Sequence, residues 1–166
     1  MNGLALLTAC IFAFDLLAHG QTPADFQAKV QNDLADRSYF PAVETLRELR
    51  GKDLKVFEAN NYDYLLGRLA EKTGDFALAM ANYQSVTRRE SVLMPYAKWH
   101  LSQIARVTGN LMLERIYLQE MIAGSRDTLL LSAARNRLIR SFSESKNYAD
   151  SIKLLTTPPT SSGGIG

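Results

Sequence analysis

The stretch Leu66-Gly67-Arg68-Leu69-Ala70-Glu71-Lys72-Thr73-Gly74-Asp75-Phe76-Ala77-Leu78-Ala79-Met80-Ala81-Asn82-Tyr83 decides the fold. Gly74 can adopt the left-handed backbone that ends a helix. Asp75 can accept a hydrogen bond from an amide left free at the start of the next one. The stretch therefore reads as helix, tight turn, helix. Gly67 and Ala79 are small where the paired helices must approach closely. Tyr83 is large enough to fill the space between this pair and the next, and Val86 continues the same face.

Working outward, the turn recurs. Ser38-Tyr39, Asp75-Phe76, Asn110-Leu111 and Asn147-Tyr148 each join a capping side chain to a large apolar residue, at intervals of 37, 35 and 37 residues. The third copy has Leu101, Ala105, Gly109, Leu111, Leu118 and Met121, with Ser102 in the place of Gly67 and Glu114 in the place of Ala79. The first keeps Tyr39, Ala42, Leu46 and Leu49. The fourth keeps Leu138, Phe142, Tyr148, Ser151 and Leu155, with Lys146 where glycine is usual. The pattern predicts helices over 23–37, 39–50, 55–73, 76–90, 94–108, 111–123, 127–145 and 148–155. Pro23 and Pro95 suit first turns, and Gly51 and Gly124 suit helix ends. No alternating strand pattern competes.

Leu-Gly on the first helix, then Gly, an aromatic, Ala and a large apolar residue resembles the tetratricopeptide repeat, whose unit is about 34 residues. The resemblance implies an all-α, right-handed α-solenoid of about four tetratricopeptide-like helix pairs. Beyond the repeat, Tyr64-Leu65-Leu66-Gly67-Arg68-Leu69-Ala70, Tyr96-Ala97-Lys98-Trp99-His100-Leu101 and Ile104-Ala105-Arg106-Val107-Thr108-Gly109-Asn110-Leu111 resemble the helical superhelix preceding the catalytic domain of bacterial soluble lytic transglycosylases. That resemblance implies a scaffold beside peptidoglycan. The lysozyme-like domain carrying that family's activity has no room within 166 residues.

Composition agrees with a folded chain: 46% hydrophobic and 22% charged, with a net charge of +2. So mild a charge, without basic clusters, argues against nucleic acid. Residues 3–18 form an apolar stretch short for a membrane span. Ala18-His19-Gly20 supplies small residues two apart, as a signal-peptidase site does. The organisation expected is a signal peptide over 1–20, a helical repeat domain over 21–155 and a tail or linker over 156–166. The mature chain is expected in the periplasm or secreted, without a membrane span. Two features depart from a strong signal: no Lys or Arg precedes the apolar run, and Asp15 interrupts it. Leu7-Thr8-Ala9-Cys10 matches a lipoprotein box, the alternative in which Cys10, the single cysteine, carries lipid.

No catalytic constellation, phosphate loop or metal-spaced ligand set stands out, so the reading is non-catalytic and without a cofactor. Of the two histidines, His19 lies in the leader and His100 reads as a residue at an inter-repeat contact. Glu114, Glu120, Glu144 and Asp127 read as solvated helix-face acids, and Arg88 and Arg89 as solvated helix-end charges. Register across the repeats places Tyr64, Trp99 and Asn136 at one equivalent point and Arg68, Gln103 and Arg140 four residues later, with Arg106 as a further candidate. These seven are expected to line a concave face that binds a protein or peptide segment, since aromatics supply contact area and Arg directed hydrogen bonds. Peptidoglycan is the partner the second resemblance implies. The competing expectation is that Tyr64 and Trp99 pack against the neighbouring repeat. Ile152, Leu154 and Leu155 lie on a short last helix with nothing after it to cover them, which suits an open end that docks another chain.

Overall fold

A computed structural model describes residues 22–89 and 91–157. The leader with Cys10, the Ala18-His19-Gly20 site and the tail beyond Thr157 lie outside the described residues. Those described form helices without strands: α1 (Pro23–Ala35), α2 (Tyr39–Lys52), α3 (Leu54–Ala59), α4 (Tyr62–Thr73), α5 (Phe76–Thr87), α6 (Met94–Val107), α7 (Leu111–Gly124), α8 (Thr128–Glu144) and α9 (Tyr148–Thr156). Each packs mainly on its neighbours in sequence, with the short α3 set between α2 and α4. The result is a solenoid-like all-α fold, in which stability accumulates from one joint to the next.

The turns follow one design. Arg37, Gly74, Gly109 and Lys146 all have positive φ, from 54 to 80 degrees with Asn61 included. The amide that follows each of these four residues then reaches back to a carbonyl of the helix just ended: Ser38 to Asp33, Asp75 to Ala70, Asn110 to Ala105 and Asn147 to Phe142. Asp75 and Asn110 cap the following helix at 2.9 and 3.0 Å, and Asn147 at 3.4 Å. Ser38 makes no such side-chain bond. Two of the four turns therefore hold a side-chain-bearing residue in a conformation that costs roughly 1–2 kcal/mol away from glycine.

One expected helix is broken. Instead of a continuous 55–73, α3 stops at Ala59 and α4 starts at Tyr62, with Asn61 left-handed at φ 54. Asparagine tolerates that conformation better than most residues with a side chain. Here Asn60 Nδ2 donates to the Val56 carbonyl at 2.8 Å, and Ser91 Oγ donates to Asn61 Oδ1 at 2.8 Å. Gly51 lies inside the last turn of α2 rather than past it, and Asp53 caps α3 through the Val56 amide.

The core runs as three linked clusters. Phe26, Leu46, Leu49, Phe57 and Leu66 centre the first; Ala79, Tyr83, Val86, Ala97, Leu101 and Ile104 form most of the second; Leu118, Met121, Ala134 and Leu138 form the third. Gly67 is required by this packing. A Cβ there would meet the Tyr83 ring at 2.8 Å.

Candidate functional site

The seven row residues lie on α4, α6 and α8, the first helices of the second, third and fourth pairs. Tyr64 is half-buried, its ring 5.7 Å from that of Tyr83 and 5.9 Å from that of His100. Arg68 Nη1 stands 2.6 Å from His100 Nε2. Trp99 is half-buried against Leu118 and Met121 of its own repeat and Ala134 and Leu138 of the next. Gln103 lies beside Ser102, and Arg106 donates to Glu144 at 3.2 Å. Asn136 and Arg140 are exposed, and Arg140 has no ion-pair partner among the described residues. The row thus divides. Its upper members are engaged with their own fold, and its lower members face solvent.

The upper end is a compact cluster. The rings of Tyr83 and His100 stack at 5.0 Å and 12 degrees. Glu71 accepts from His100 Nδ1 at 2.9 Å and from the Tyr83 hydroxyl at 2.5 Å. With Nδ1 donating to the carboxylate, the neutral ring accepts at Nε2 from Arg68. The nitrogen that a general base would use is therefore occupied by a guanidinium. Burial works against the Glu71 carboxylate, but the bonds from His100 and Tyr83 outweigh it and hold it below its usual range. Burial, and then the bond to Glu71, push the Tyr83 hydroxyl well above its usual range.

Two charge readings are corrected here. Glu114 is fully buried: its Oε1 accepts from Arg137 Nε at 2.6 Å and its Oε2 from Ser141 at 2.8 Å. Arg137, 6% exposed, also pairs with Glu144 at 3.1 Å, which in turn takes Arg106. Burial opposes the Arg137 charge, yet the bonds from Glu114 and Glu144 raise its affinity for the proton. The acid stays buried because both oxygens are satisfied, a constraint that helix periodicity cannot reveal. Arg89 is likewise no solvated end charge. It pairs with Asp63, 1% exposed, and donates to the Glu58 carbonyl at 2.6 Å, closing the end of the broken helix. Glu120 pairs with Lys98 at 2.9 Å and Asp127 caps α8.

Compared with known proteins, the chain matches no family model, no curated protein and no solved structure. Among the described residues no group of His, Cys, Asp and Glu could hold a metal ion, and no helix is long and apolar enough to cross a membrane. A cavity of about 720 Å³ lies away from the row, between α7, α8 and α9. Sequence reasoning passed over it. Its nearest signal was the short last helix carrying Leu154, half-buried on the cavity wall.

Proposed function

We propose that the chain is a non-catalytic scaffold of the bacterial cell envelope, of the tetratricopeptide kind, that holds a peptide or protein segment along its first-helix row. The observation that carries this reading is the exposed pair Asn136 and Arg140 on α8, four residues apart and on one helix face, beyond Gln103 on α6. Asn can bond both the N–H and the C=O of an extended peptide, and Arg can take a carboxylate through two parallel bonds. The envelope location rests on the apolar leader and on Ala18-His19-Gly20.

The test uses the full chain and an Asn136→Ala plus Arg140→Ala variant, which leaves the packed Trp99 untouched. Partners captured from envelope extract would be identified by mass spectrometry. A protein enriched by the parent and lost in the still-helical variant supports the reading; equal enrichment by both removes it. A parallel co-sedimentation with purified peptidoglycan sacculi addresses the second reading, a superhelical arm of a lytic transglycosylase. Loss of sedimentation in the variant would move the partner from protein to cell wall.

A further inference from the structure

The helix face that carries the row has two unlike sides. On α8, Leu129, Ala133, Asn136 and Arg140 recur at helical spacing and share one face. On α6 the same face carries Tyr96, Trp99, Gln103 and Arg106. The two helices run parallel, because Trp99 packs against Ala134 and Leu138 while Arg106, farther along, donates to Glu144. Like ends therefore stand side by side. The N-terminal side of the shared face is apolar and open, with Leu129 82% exposed and Tyr96 43%. Val92, in the turn before α6, precedes Trp99 by the same interval as Leu129 precedes Asn136, and is 83% exposed. The C-terminal side is cationic, with Arg106 and Arg140. Glu144 is the acid there, and Arg106 and Arg137 hold it at 3.2 and 3.1 Å, which leaves Arg140 without an ion-pair partner among the described residues.

Between the two sides, from Tyr96 to Arg106 and from Leu129 to Arg140, lie about 15–17 Å of helix. One strand of peptide crossing both helices at the level of Trp99 and Asn136 would lie midway. Its successive side chains point to opposite sides, each reaching roughly 5 Å, half of the ~10 Å between stacked sheets. Tyr96, Arg106 and Arg140 are long enough to cover the remainder. Asn136 stands where the peptide backbone would pass, with a donor and an acceptor for its C=O and N–H groups. Alternate side chains then fall on unlike surfaces. One set meets Val92, Tyr96 and Leu129, and the other meets Arg106 and Arg140. A uniformly acidic segment would bury carboxylates on the apolar side, and a uniformly apolar one would leave Arg140 unmatched.

We infer that the row recognises an extended segment in which apolar and acidic residues alternate, the apolar side chains on Val92, Tyr96 and Leu129 and the carboxylates on Arg106 and Arg140. The inference rests on the scaffold reading above and adds to it the chemistry of the partner. The period of two is what the geometry demands, since a strand places every second side chain on the same side.

The experiment is fluorescence anisotropy of labelled, end-capped octapeptides titrated with the full chain. Alternating leucine and glutamate is expected to bind. The same composition arranged as two blocks, and alternating leucine and lysine, should each bind at least about tenfold more weakly, the worth of one charge-assisted hydrogen bond. Leu129→Ser changes an exposed side chain, so it should fold as the parent does. It is expected to weaken the alternating leucine-glutamate peptide about tenfold, as loss of one buried leucine contact does. Equal affinity for the alternating and block peptides overturns the inference, and so does a Leu129→Ser variant that binds the alternating peptide as tightly as the parent. If no peptide binds while capture from envelope extract still depends on Asn136 and Arg140, the alternation falls and the scaffold reading stands. Capture indifferent to those two residues removes both.

Discussion

The joint between the second and third repeats and the joint between the third and fourth use the same register positions with different chemistry. At the first joint Ala79, Tyr83 and His100 meet, and the imidazole stacks on the phenol ring. At the second the equivalent residues are Glu114, Leu118 and Arg137, and a buried ion pair takes the place of the stack. The exchange is concerted. Glutamate in place of alanine is tolerated because arginine stands where histidine did, and leucine in place of tyrosine goes with Ser102 in place of Gly67. A repeat position is thus specified less by one residue type than by a set of three or four that change together.

The largest effect should come from splitting the second joint. Arg137→Ala leaves Glu114 buried with Ser141 as its remaining partner and is expected to cost about 3–5 kcal/mol in urea unfolding, as removal of one member of a buried pair does. His100→Ala removes a stacked ring rather than a counter-charge and is expected to cost less. Equal losses at the two joints would show that the distinction between them has no energetic content.

Next is the coupling between glycine and tyrosine. Gly67→Ala forces a Cβ into the Tyr83 ring and is expected to cost about 1–3 kcal/mol. Leu118→Tyr should cost a similar amount, about 1–3 kcal/mol, while Ser102 is present and markedly less in a Ser102→Gly background. A double-mutant cycle without coupling would break the proposed equivalence of the two joints.

Smaller effects are expected at the turns. Gly109→Ala places a side chain at φ +80 and should destabilise by about 1 kcal/mol, whereas Lys146→Gly relieves the strain at φ +62 and should stabilise by about 0.5–1 kcal/mol. Opposite signs in thermal melts are the result that checks this pair.

The smallest is a pH dependence at the first joint. Glu71 is held below its ordinary value of 4.5. Its stabilising contribution is therefore complete above that pH and is lost as pH falls below it, through the depressed folded-state value. Glu71→Gln should flatten the acid limb of the stability curve, and an unchanged limb would exclude Glu71 as its source.

The four helix pairs could be read from the sequence because their determinants are local. A capping side chain before a large apolar residue, repeated at 37, 35 and 37 residues, sets each turn through bonds that span a few residues. Even Lys146, without glycine's freedom, follows the same backbone. That Gly67 marks a close approach was also legible, but not that the Tyr83 ring is what approaches it. The break at Asn60-Asn61 was not, because what completes it comes from about thirty residues away, in Arg89 and Ser91.

Sequence alone therefore determined the helical repeat, its register and its principal packing residues, all products of local backbone preference and apolar periodicity. Tertiary structure decided where the charges lie. Glu114, read as solvated, is buried; Arg89 closes a helix end; Tyr64, Arg68 and Trp99 are drawn into their own joints while Asn136 and Arg140 remain exposed. A polar side chain looks alike in sequence whether water or a partner satisfies it, and only the folded chain brings that partner within about 3 Å.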